Sequence, residues 1–383
     1  MNGRAVRIGW RGWRNSLAAP VLGMQVLAMQ VLAMPVLGIG VLGMASAPGR
    51  CLLGQVPEPM VPLQSGSQSR QGVGESPQPA TPIAFDGERS YEVLKQIVEL
   101  GPRISASKAM KEQQELLTKH FEALGAKVFL HKFKYAPPSK GRQYAIANLI
   151  VTWNPAARRR ILLCTHYDTR PYADQDPRNP RAKLPGANDG ASGVALLHEL
   201  GRHMGALQSG SIGVDFVFFD AEEFVFNNRQ NAGDQADPLF VGSTQFANDY
   251  KNGVAAGNLG YVYECGVLLD MIGDAQLELY WEKHSMSYPV AREVAREIWA
   301  IGQELGFKEF HAEIRHEVRD DHLPLNAVAN IPTIDLIDFD YPTVQRSNEY
   351  WHTQQDTPDK CSARSLEIVG TVMLEWLKRR VQP

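Results

Sequence analysis

Apolar positions recur at helical spacing over residues 90–100 and 108–124, and Gly125 supplies a stop signal after the second run. The period then changes. AKVFLHKFKY alternates apolar and polar side chains, and YAIANLIVTW and RRILLCTH follow it as further strands. GVDFVFFD, CGVLLDMI and PTIDLID are short apolar runs of strand length. Between them ASGVALLHELGRHM returns to helical spacing, with Asn188 or Asp189 near its N-terminus, and residues 291–305 and 366–381 complete the helices. Strands alternating with helices predict an α/β fold: one domain over residues 86–383, with a mixed central β-sheet flanked by helices on both faces. In such sheets ligands bind beyond the strand ends.

The first 85 residues follow neither period. Arg4, Arg7, Arg11 and Arg14 precede an apolar stretch of near-repeats over residues 17–47, ending in Ala45-Ser46-Ala47. A basic segment, an apolar one and an A-x-A site predict a signal peptide or N-terminal anchor over residues 1–47, and hence export to a periplasmic or extracellular location. The stretch is long enough to span a bilayer, so an uncleaved anchor is the one expected route to a membrane. Pro20 and Pro35 weaken it as a single helix, which favours cleavage. Cys51 follows Pro-Gly-Arg rather than small apolar residues, which argues against lipidation. Residues 48–85 are rich in Pro, Gly, Ser and Gln, and read as a disordered linker with too little apolar surface to offset ordering entropy.

Composition adds exclusions. The 383 residues are 44% hydrophobic and 21% charged, enough for a substantial core, and the net charge of -3 gives no basic surface for nucleic acid. Cys51, Cys164, Cys265 and Cys361 show no paired metal spacing; one disulfide would be compatible with export, its pairing left open.

The candidate chemistry lies mostly where the apolar runs stop: His166 and Asp168 in LLCTHYDTRP, Asp189 in GANDGASG, Glu222-Glu223 in FVFFDAEEF, Asp270 in GVLLDMIGD, and His352 in YWHTQQDT. His and carboxylates are suitable zinc ligands, and a catalytic zinc keeps a coordination position open. His166 and Asp168 are two apart, so on extended chain they share a face and Asp168 is expected to orient His166. Adjacent Glu222 and Glu223 project differently, so one can bind metal while the other moves protons; a cation would relieve their repulsion. Each piece alone has a plain structural reading. Asp189 alone reads as a helix cap, Glu-Glu as a solvated face, and Trp351-His352 as packed aromatics. Asp270 resists such a reading, because a carboxylate inside an apolar run is costly to bury unpaired.

Taken in order, HYDTRPYAD, GANDGASG, FDAEE, LLDMIG, DDHLPL and WHTQQDTPD resemble the M28 zinc aminopeptidase superfamily, and within it most resemble the secreted glutaminyl cyclases of bacterial type. GPR at residues 101–103 and VGSTQFA at 241–247 add weaker matches. The resemblance implies a zinc-exopeptidase-like domain and a zinc-dependent aminoacyltransferase that acts on peptide or protein N-termini, turning N-terminal glutamine into pyroglutamate. Glu222, Asp270 and Asp320 would then be catalytic, Trp351 would wall the substrate pocket, and Asp189, Glu223 and His352 would hold one zinc. An M28 aminopeptidase is the alternative: there Asp189 would bridge two zincs, with His166 and Asp270 completing the second site and Glu222 activating water. A non-catalytic interaction domain on the same fold is a third reading, disfavoured by the complete ligand set. One departure stands out. Animal-type cyclases carry Gln where this chain has Arg319, and Phe224, Phe226 and Asn228 lack their aromatic arrangement.

Overall fold

The computed structural model describes residues 84–207, 210–227, 236–340 and 350–382. The chain divides after Glu75, and the first unit, Met1–Glu75, lies outside the described residues with the expected leader, its cleavage site and Cys51.

Two helices open the described chain, α1 (Gly87–Glu99) and α2 (Lys108–Ala123). A side chain caps each: Asp86 accepts from the amide of Arg89, so that α1 starts three residues before the apolar spacing suggests, and Ser107 accepts from that of Met110, where the spacing starts α2. Such caps contribute about 1 kcal/mol each. Strands β1 (Lys127–Tyr135), β2 (Tyr144–Trp153) and β3 (Arg159–His166) follow, then α3 (Ser192–Leu200), β4 (Ile212–Phe219), α4 (Val241–Ala255) and β5 (Val262–Asp270). The remainder comprises β6 (Leu279–Glu282), α5 (Lys283–Ser287), α6 (Pro289–Glu304), β7 (Phe310–His316), α7 (His322–Ala327), β8 (Thr333–Ile337) and α8 (Ala363–Val381).

Six strands form one mixed sheet in the order β1-β2-β4-β3-β5-β8. The β1–β2 and β2–β4 pairs are antiparallel, whereas β4, β3, β5 and β8 run parallel. Side chains alternate across it, as a period of two requires. Ile161 and Leu163 of β3, with Phe216 and Phe218 of β4, face a core shared with α1, α3 and α8, while Leu162, Cys164, Val217 and Phe219 face Phe246 and Tyr250 of α4. The central parallel strands are thus buried on both faces, as their unbroken apolar runs predict, whereas edge strand β1 is partly exposed, in keeping with its alternation.

Five elements were invisible to the pattern, the short helices α5 and α7 among them. Helix α4, VGSTQFANDYKNGVA, mixes Gly, Ser and Asn with few apolar residues, and packing of Phe246 and Tyr250 overrides its weak propensity. Strands β6 and β7 form a separate parallel pair, one only four residues long and the other largely exposed. Cys164, Cys265 and Cys361 are free and buried, so no disulfide joins the described residues.

Candidate active site

The parallel strands β3, β4, β5 and β8 all end on one edge, and the chain turns sharply there. Ala221 after β4, Met271 after β5, and His352 itself take positive φ of 60°, 50° and 55°. A non-glycine residue in this region costs on the order of 1 kcal/mol. The strain bends the chain so that the side chains at the strand ends converge on a cavity of about 240 Å³. That volume falls below the ~300–1,000 Å³ typical of drug-sized ligands, and suits one residue. A larger groove of about 840 Å³, between α2 and the β1–β2 edge, is lined by Lys111, Glu115, Lys119 and Glu122 and contains no imidazole.

His166, Asp189, Glu222, Glu223, Asp270, Asp320, Trp351 and His352 all line the smaller cavity. Asp189 sits in the middle. Its Oδ1 lies 3.2 Å from Nε2 of His166, and its Oδ2 lies 3.5 Å from Nε2 of His352. On one side Nε2 of His166 also meets Asp270 Oδ1 at 3.0 Å; on the other, Nε2 of His352 meets Glu223 Oε1 at 2.6 Å. Asp189 is therefore no helix cap. Ala191 occupies the cap position of α3 without a side-chain bond. Gly190 lets the loop approach: a Cβ there would lie 2.5 Å from the carbonyl oxygen of Asp168, and its φ of +98° disfavours other residues. Trp351 stacks on His352 with ring centroids 3.8 Å apart and meets Phe339 edge-on.

Asp168 lies beside His166, and its closest bonds go to the backbone of the glutamate pair. Its Oδ1 is 3.8 Å from Nδ1 of His166, beyond hydrogen-bond range. Its oxygens instead accept the amides of Glu222 at 3.1 Å and Glu223 at 3.2 Å, and Ser105 Oγ approaches at 3.4 Å. It braces the backbone of the glutamate pair, because the turn at Ala221 aims those amides at it.

Several supporting residues lie inside the quoted motifs, but their local pattern gave no sign of these contacts. Asp356 accepts the amides of Asn188 at 2.7 Å and Asp189 at 3.1 Å, and burial followed by the charge of Asp189 raises its pKa to about 7. The Arg103 guanidinium donates to the carbonyls of Pro185 and Gly186. Arg170 reaches Glu223 through its amide and its side chain, both at 3.2 Å, and Asp174 at 3.1 Å. Asp174 in turn faces Nδ1 of His352 at 3.3 Å. HYDTRPYAD contains both Arg170 and Asp174, but only folding brings them to His352.

The electrostatics separate the two glutamates. Burial and the neighbouring charge of Glu223 push Glu222 well above the ordinary carboxylate range. Glu223, although equally buried, is held at about 2 by His352 and Arg170. Burial and Asp270 raise Asp320 well above its ordinary value. Asp189 is raised too, by burial and then Glu223, and its Oδ2 is buried without a hydrogen-bond partner. Donor atoms of His166, Asp189 and Glu223 all lie within 4.8 Å of one another, a buried group able to hold a metal ion. A crowd of carboxylates with an orphaned oxygen and mixed N/O donors fits a divalent cation of zinc type.

The sequence profile of peptidase family M28 matches residues 148–377, which hold every residue lining the cavity. The chain belongs to this family. Among solved M28-type structures, the glutaminyl cyclase of Fimbriiglobus ruber is 37% identical, with a TM-score of 0.71, covering 80% of this chain and 99% of that one. A structure from Parabacteroides distasonis described as a Zn-dependent exopeptidase is 29% identical, with a TM-score of 0.68, covering 78% of this chain and 100% of that one. Among curated relatives, the glutaminyl-peptide cyclotransferase of Gloydius blomhoffii is 24% identical over 255 residues, which is 60% of this chain and 66% of that protein's length. The shared M28 fold is the mixed sheet with flanking helices described above.

Proposed function

We propose that the protein is a zinc-dependent glutaminyl-peptide cyclotransferase, converting N-terminal glutamine of a peptide or protein to pyroglutamate with release of ammonia. One observation carries the reading. Beside the ligand-type residues, a one-residue cavity has the buried acids Glu222, Asp270 and Asp320 in its lining and Trp351 in its wall. The likeness to bacterial glutaminyl cyclases supports it. Asp189, Glu223 and His352 would hold the zinc. Bound there, the metal supplies Lewis-acid polarisation of the substrate's γ-carboxamide.

The chain's own residues do the rest. Trp351 and Phe339 enclose the glutamine side chain, holding it folded back toward its own α-amine. Intramolecular attack needs only correct positioning, so fixing one conformer removes much of the entropic barrier. The amine nitrogen bonds to the side-chain carboxamide carbon, Cδ, closing a five-membered ring, and the bond from that carbon to the amide nitrogen breaks. Glu222 takes a proton from the amine and returns it to the departing ammonia, a role for which a buried carboxylate with a raised pKa is suited. Asp270 and Asp320 orient the amine.

A second reading has its own support. His166 and Asp270, 3.0 Å apart and joined through Asp189, complete a second cluster of ligand type. With two metals, water activated by Glu222 would attack a peptide bond, as in an aminopeptidase. Offering the protein an N-terminal glutaminyl peptide and an N-terminal leucyl peptide separates the two. Pyroglutamate and ammonia without free leucine is the expected result; free leucine without pyroglutamate overturns the cyclase reading. The basic and apolar leader supports an exported enzyme, to be checked by N-terminal sequencing of the mature protein.

A further inference from the structure

We propose that Arg319 forms a subsite at the cavity mouth for an acidic second residue, so that the protein prefers Gln-Glu and Gln-Asp N-termini; this rests on the cyclase reading. Two guanidinium groups line the cavity, Arg170 and Arg319. Arg170 is buried and engaged with Glu223 and Asp174. Arg319 is exposed, and forms no ion pair or hydrogen bond among the described residues. Its acidic neighbour on the rim, Glu317, is already answered by Lys283 at 2.5 Å and His284 at 3.6 Å. The other rim positions, Leu239, Phe339 and Trp351, carry no charge.

Backbone alternation fixes where the guanidinium stands. Val318 is buried, with its amide bonded to Glu282 at 3.1 Å; Arg319 is exposed; Asp320 is buried in the cavity. Consecutive Cα atoms are ~3.8 Å apart, so Arg319 is one step outward from the acid that faces the substrate's first residue. The substrate's second residue is likewise one step outward from its first. A carboxylate on that residue meets a planar fork of donors suited to bidentate pairing. An uncharged Gln at this position would lack the charge, so the departure at Arg319 changes which substrates are favoured.

The test uses the zinc-loaded protein and three amidated tripeptides, Gln-Glu-Ala, Gln-Ala-Ala and Gln-Lys-Ala, at low and high salt. The expected kcat/KM is highest for the acidic peptide, about fivefold over the alanyl one, and the preference shrinks with salt as a rim charge pair must. R319Q removes the discrimination, R319E reverses it, and R319K keeps part of it. An acidic preference equal in the protein and in R319Q, or no preference in the protein, overturns the inference while leaving cyclisation intact. Failure to cyclise any of the three overturns the cyclase reading and this inference with it.

Discussion

At the N-terminal end of β3 and β4, Asp215 is buried but fully answered. Arg160 reaches it with two bonds, at 2.6 Å and 2.7 Å, and Tyr263 donates its hydroxyl at 2.7 Å. At the C-terminal end of the same strands, Asp189, Glu222, Glu223, Asp270 and Asp320 share one cavity, whose buried side chains offer only Arg170 and two imidazoles in return. A buried charge survives where its partner is built in. The excess of acid at the other end therefore marks a place prepared for a cation and for proton transfer. One end of the strand pair is structural, and the other is chemical.

If that contrast holds, variants at the two ends fail differently. The largest effect falls on Glu222: E222Q lowers turnover about 10²–10⁴-fold while zinc content stays unchanged, measured by product assay and elemental analysis. Substantial residual turnover would remove Glu222 from the proton-transfer role. Arg160→Met leaves Asp215 without its ion-pair partner and costs about 3–5 kcal/mol of stability, read as a shift in denaturant midpoint. Zinc bound per folded chain should not change. If it does, the two ends are coupled and the separation fails.

Smaller effects sharpen the picture. Asp174 approaches His352 from outside the cavity, and D174N should weaken zinc affinity about 10–100-fold, followed by competition with a chelator. Glu282 offers a second case of answered charge. Against its burial, His322 and the amides of His284 and Ser285 hold its pKa at about 2. A carboxylate depressed on folding stabilises most above its unfolded pKa of ~4.3 and loses that contribution as pH falls toward the folded value. E282Q should therefore cost about 1–2 kcal/mol at neutral pH, with the difference narrowing between pH 4.5 and 2.

The chemical end was the more legible in the sequence, because most of its reactive residues follow or interrupt an apolar run, as His166, Glu222, Glu223 and Asp270 do. Asp270 closes CGVLLD and His166 closes RRILLCTH, so strand ends announce them. Their supports are hidden for a physical reason. Asp356 meets the Asp189 amide across 167 residues, and Arg103 meets Gly186 across 83, with nothing in either local pattern to link them. Asp168 shows the limit of spacing arguments. Two residues from His166, it shares a strand face only if the chain stays straight, and β3 ends at His166. On the fold side, the double-covered strands read clearly, whereas α4 depends on tertiary packing and β6 is too short to show a period.

The zinc content of the purified protein decides whether the cavity holds one metal ion. Elemental analysis should find one ion per chain, lost together with cyclisation in H352A and retained in H166A. Fully active metal-free protein, or two ions per chain, would contradict this account of the cavity.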